Sequence, residues 1–156
     1  MIRAIASVLF CAVLCSCYSS CVGYAYMDCG STLGSFSSVS VSGCDTNTES
    51  CHLIRGTNAT INIKFKPNTD ISQVNLHVFG VILDVEIPFP MDKPDVCKDL
   101  ECGVHCPLRK DQEYNYTTSM FVKKAFPKVK VQIKWEFVDA HNQMIVCIQF
   151  PAKIWK

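Results

Sequence analysis

The sequence carries almost no surplus of charge. Fifteen Lys and Arg face 14 Asp and Glu over 156 residues, for a formal net charge of +1. That balance gives no general attraction to nucleic acid or to an anionic membrane. Reactive motifs are missing too. There is no G-x-S-x-G elbow, no P-loop and no dinucleotide fingerprint. The four histidines, His52, His77, His105 and His141, are scattered, and none stands in an H-x-x-x-H pair. Acidic residues are spread along the chain without a pair that the sequence places together. Nothing therefore argues for an enzyme, a metal centre or a cofactor.

Long apolar runs are scarce as well, with one exception at the start. Arg3 is the only charge among the first 25 residues, an apolar run follows from Ala4 to Leu14, and the segment closes on Gly23-Tyr24-Ala25. This is the layout of a secretory signal peptide with small residues before the cleavage point. The run is shorter than the roughly 18–20 residues of a spanning helix. The expectation is a cleaved signal over 1–25 and one domain over 26–156, in a secreted, extracellular or lysosomal protein.

Of the 11 cysteines, Cys11, Cys15, Cys17 and Cys21 fall in the signal segment. Cys29, Cys44, Cys51, Cys97, Cys102, Cys106 and Cys147 remain. An oxidising compartment favours disulfides, and an odd number leaves one thiol over. Cys97-x4-Cys102-x2-His105-Cys106 can be drawn as a zinc site. A disulfide-closed loop is the better reading in that compartment.

What the chain has in abundance is alternation. Polar and apolar residues alternate over 60–66 and 128–137, the period of a strand with one face inward. Further candidate strands are 36–42, 74–87, 113–122 and 144–150. They are divided by Ser42-Gly43, Lys66-Pro67-Asn68, Phe126-Pro127 and Asp139-Ala140-His141-Asn142. Short strands at this spacing predict an all-β antiparallel sandwich. Asn58 and Asn115 open glycosylation sequons. Lys128, Lys130 and Lys134 read as a solvated outer face, and less readily as a docking face for anionic lipid headgroups.

The stretch Val85-Glu86-Ile87-Pro88-Phe89-Pro90-Met91-Asp92-Lys93-Pro94 puts prolines between large apolar residues. Proline has no donor for a sheet ladder, so this is a strand end, an edge or a turn. Further landmarks stand in order around it. They are Asp28-Cys29-Gly30-Ser31, the Cys44 to Cys51 loop, Leu53-Ile54-Arg55-Gly56, Pro94-Asp95-Val96-Cys97 and Cys106-Pro107-Leu108. Tyr114-Asn115-Tyr116, Val122 before Phe126-Pro127, Trp135 and Cys147 complete the set. Together they resemble the Niemann-Pick type C-2 proteins of the MD-2-related lipid-recognition family, with arthropod-like features.

That resemblance implies an immunoglobulin-like β-sandwich of two antiparallel sheets with a lipid cavity between them. It also implies bridges Cys29–Cys147, Cys44–Cys51 and Cys97–Cys106. Lipid contacts would come from Phe89, Val122 and Phe126, with Val81, Met120 and Trp135 in the wall. The chain departs from vertebrate members at Phe79, Glu86, Phe121 and Phe126, and Cys102 is extra. The function implied is a monomeric carrier of sterol or a fatty-acid-like lipid. It would make transient membrane contact and could hand its cargo to a membrane-protein acceptor. The alternative is an extracellular lipid-sensing or receptor-binding module. Pro88, Pro90 and Pro94 would then hold Phe89 at the mouth and keep the strand from zipping shut.

Overall fold

Alternation becomes structure in the central strands. In a computed structural model describing residues 23–156, every regular element is a β-strand. In chain order these are β1 Met27–Asp28, β2 Gly34–Val41, β3 Cys51–Ile54, β4 Asn58–Pro67 and β5 Asn75–Ile82. Then come β6 Val85–Phe89, β7 Tyr114–Phe121, β8 Lys130–Val138 and β9 Met144–Trp155. On β4, Ala59, Ile61, Ile63 and Phe65 are buried, and on β8 Val131, Ile133, Trp135 and Phe137 are buried. Each strand thus presents one apolar face to the other sheet.

The strands form two layers. One sheet has the order β1-β9-β8-β5-β6, with β3 also paired to β9, and the other has the order β2-β4-β7. Within this sandwich the pairs are antiparallel except β3 with β9, which run parallel from Cys51↔Ala152 to Ile54↔Trp155. Strand β3 escapes the alternation reading because four residues are too few to show a period.

One end of the sandwich is solid. Phe137 lies 5.2 Å from Phe65 and 4.9 Å from Tyr116, centroid to centroid. Trp135 extends the cluster at 6.3 Å from Tyr116. Such fully buried rings each contribute roughly 1.5–3 kcal/mol by leaving water.

The stretch 74–87, expected as one strand, is a hairpin. Leu83 and Asp84 turn it with φ of 48° and 63°. Two left-handed residues match the twist of the flanking strands. A Leu-Asp pair carries none of the Gly or Asn that usually marks such a turn. Pro88 sits on β6 opposite Phe79. Strand β6 is the sheet's last, so no further ladder asks Pro88 for a donor. Beyond Pro90 the chain folds back: Leu76 N–H donates to Pro94 O at 2.8 Å and Val96 N–H to Val74 O at 3.0 Å.

Three disulfides join Cys29 to Cys147, Cys44 to Cys51 and Cys97 to Cys106, and Cys102 is free and buried. Residues 1–22 lie outside the described residues, and with them most of the predicted signal segment. Tyr24, at its end, donates its N–H to Thr46 O and meets Tyr26 edge-on at 5.6 Å.

The Cys29–Cys147 bridge closes a separation of 118 residues. In the chain-entropy account such a closure stabilises by about 5 kcal/mol. Replacing both cysteines with serine is expected to lower the unfolding free energy by that order, read from denaturant midpoints. A loss below about 1 kcal/mol would show that the closure contributes little.

An apolar cleft as candidate functional site

Away from the aromatic cluster the two layers stand apart. Inward residues of β5, β6 and β8, among them Val78, Ile82, Ile87, Phe89, Val131 and Ile133, make one wall. Met120 of β7, then Val122, Phe126 and Pro127, make the other, while Val129, whose carbonyl accepts from Ile154 N–H, continues the β8 side. The space between them is about 190 Å³, and no polar or charged side chain lines it. Gly80 keeps the wall thin, since a Cβ there would lie 3.2 Å from Val131 Cγ2. A smaller void of about 20 Å³ lies deeper, bounded by Ala59, Ile61, Trp135 and Phe150. Leu53, Met120 and Ile133 border both spaces.

Trp135 Nε1 is buried without a hydrogen-bond partner, as is Gln132 Oε1. A buried orphan polar atom costs on the order of 1–3 kcal/mol. At the mouth, Phe89 and Phe126 meet edge-on with centroids 5.4 Å apart. Exposure of the same hairpin rises toward its tip: Ile87 is 51% exposed, Val85 60% and Leu83 93%.

Two polar devices hold the lips. Arg55 Nη1 donates to the carbonyl oxygens of Lys124 at 3.0 Å and Phe126 at 3.1 Å, and its Nε donates to Lys156 O. Next to it Gly56 N–H donates to Val122 O at 2.6 Å, and Val122 N–H to Thr57 O at 2.9 Å. The loop that carries Phe126 is therefore pinned by residues 55–57. Within the six-stranded sheet, Lys134 Nζ reaches Glu86 Oε1 at 2.7 Å and Glu136 Oε1 at 2.8 Å. This pairing ties β6 to β8 across β5. Glu136 first, then Glu86, pushes the Lys134 ammonium pKa above its usual range. Lys128 and Lys130 are exposed. Lys134 is not part of a solvated face, because a buried carboxylate, Glu136, claims it.

Of the expected lipid contacts, Phe89, Met120, Val122 and Phe126 line the cleft and Trp135 lines the inner void. Val81 lines neither. It pairs with Gln132 and Glu86 on β5, one residue from the inward Gly80 and Ile82, and one step along a strand changes the face. Val78, Ile82, Val131 and Ile133 take that part. The inward set of the alternating β8 could have supplied the last two. Arg55 was visible only as a landmark, since its role depends on a loop about 70 residues away.

Asn58 and Asn115 are both exposed. The Cys97–Cys106 bond occupies two of the zinc-like quartet, and burial pushes the Cys102 thiol pKa up. Among the described residues no group of three or more His, Cys, Asp or Glu could hold a metal ion.

Substituting Arg55 with Lys keeps the charge but loses the forked geometry. Faster amide exchange is expected at the Val122 N–H, which the neighbouring residues 55–57 hold, with β4 and β8 unaffected. Unchanged protection there would show that the arginine does not hold the lip.

Comparison with known proteins places this geometry. The family described as ML domain matches residues 23–154. The chain is 41% identical over 129 residues to the "NPC intracellular cholesterol transporter 2 homolog a" of Drosophila melanogaster, covering 83% of this chain and 86% of the fly protein. It is 44% identical over 129 residues to the "Ecdysteroid-regulated 16 kDa protein" of Manduca sexta, covering 83% and 87%. A crystal structure of a Niemann-Pick type C2 protein from Japanese carpenter ant superposes with a TM-score of 0.82 at 44% identity. The match covers 84% of this chain and 99% of the ant chain.

Proposed function

The chain belongs to the ML domain family, and from that premise we propose that it is a lipid carrier. Its cargo is a sterol or a fatty-acid-like molecule held between the sheets and passed through the mouth to a membrane or an acceptor protein. The observation that carries this is the cleft itself, walled on both sides by apolar side chains and rimmed by Phe89 and Phe126. Such a space offers no group for covalent chemistry. It offers removal of apolar surface from water, worth about 25 cal/mol per Å².

At about 190 Å³ the cleft is smaller than the roughly 300–1,000 Å³ usual for ligand pockets. Loading therefore involves movement of the wall. Met120 suits this, because an unbranched thioether repacks at little cost. The exposed hairpin tip, Leu83 to Ile87, lies beside the mouth and is the surface that meets the membrane or acceptor during transfer. On this reading the protein enters the secretory path on a signal spanning 1–25, carries sugar at Asn58 and Asn115, and works as a monomer outside the cell or in the lysosomal lumen. A receptor-binding role for the same hairpin is distinguished by experiment. Tight binding of a receptor ectodomain that survives a cleft-filling substitution favours recognition over carriage.

Delipidated protein is expected to take up labelled cholesterol or oleate, and uptake of neither refutes the proposal. Phe89→Ala is expected to weaken binding roughly tenfold, with the circular dichroism spectrum unchanged. Equal affinity in this variant would remove Phe89 from the site.

A further inference from the structure

A second space adjoins the cleft. It lies between the free edge of β7 and the stretch 89–93, measures about 370 Å³, and shares Phe89, Pro90 and Met120 with the cleft. Unlike the cleft it mixes polar and charged side chains with apolar ones. Resting on the carrier reading above, we infer that this annex binds the uncharged, hydroxyl-bearing headgroup of an amphiphile whose apolar part lies in the cleft.

Three observations lead there. The first is the inward row of β7. It runs Val122, Met120, Thr118, Tyr116, and Val122 and Met120 border the cleft. At Thr118 the row turns polar, and Thr118 borders the annex alone. An amphiphile lying along β7 passes from apolar contact to a hydroxyl at that point.

The second is the edge of β7, which is the last strand of its sheet. Thr117 N–H points away from β4 and donates to Cys102 O at 2.9 Å. By strand alternation Ser119 and Phe121 turn their main-chain groups the same way, where no further strand pairs with them. Both border the annex. Main-chain N–H and C=O together suit hydroxyl groups, which both accept and donate.

The third is charge. Lys93 Nζ is already engaged by Asp99 Oδ1 at 3.2 Å and by Glu101. Asp92 and Lys123 on the annex wall oppose each other in sign. No excess positive charge remains for a carboxylate or a phosphate, so a neutral headgroup fits best. Size agrees, because cleft and annex together reach the range usual for lipid-sized ligands, which the cleft alone does not.

The test compares three probes on the delipidated full-length secreted protein: 1-oleoylglycerol, methyl oleate and oleate. Their chains are the same and their heads differ. The wild type is expected to bind 1-oleoylglycerol about tenfold more tightly than methyl oleate. Thr118→Val is expected to weaken 1-oleoylglycerol about fivefold and leave methyl oleate unchanged, and Thr118→Ser is expected to retain the preference. Thermal unfolding of each variant checks that the fold is kept. Binding of methyl oleate with no preference for the glycerol ester, or an equal loss of all three lipids in Thr118→Val, overturns the annex alone. No binding of any of the three overturns the annex, and if labelled cholesterol is not taken up either, the carrier reading falls with it.

Discussion

Two apolar walls facing each other across a gap tend to close, because contact would remove both from water at about 25 cal/mol per Å². Holding them apart is the constraint on which the rest of this molecule depends. The fold meets it by concentrating rigidity elsewhere. Phe65, Tyr116, Trp135 and Phe137 fill one end of the sandwich, and that end sets the distance between the layers. The Cys29–Cys147 bond ties β9 to the residue that follows β1, across 118 residues. The open end is thus supported by a closed one.

The lips themselves are held by groups that collapse would have to break. Arg55 is bonded to three carbonyl oxygens, two of them in the loop that carries Phe126. Lys134 joins Glu86 on the rim strand to Glu136 on β8. Pro88 lies where the rim strand needs no donor, and Pro94 leads the chain back onto β5. Proline also fixes its own φ, so this stretch cannot readily reshape to fill the gap. Phe89 is left at the mouth between stiff neighbours, edge-on to Phe126.

Legibility from sequence followed physical range. Strands β4 and β8 were readable because a buried face imposes a period of two on any strand long enough to show it. Strand β3 was too short, and the Leu83–Asp84 turn uses residues that rarely adopt positive φ. The landmark cysteines and Phe89, Val122 and Phe126 came from resemblance, since no local rule says which cysteines meet. Val81 was placed in the wall and lies on the other face, an error of one residue that a period of two turns into an error of side. Alternation makes Lys134 a solvated lysine, which its ion pairs overturn, and leaves Arg55 only a landmark. Each takes its meaning from partners distant in sequence, Glu86 in one case and the 124–126 carbonyls in the other.

The most direct measurement is the intact mass of the protein secreted from eukaryotic cells, taken under native and then denaturing conditions. The expected result is a native mass that exceeds the denatured one by a single lipid, identified after extraction. Equal masses in the two states, still equal after incubation with cholesterol-containing vesicles, would mean that the gap between the sheets holds no guest.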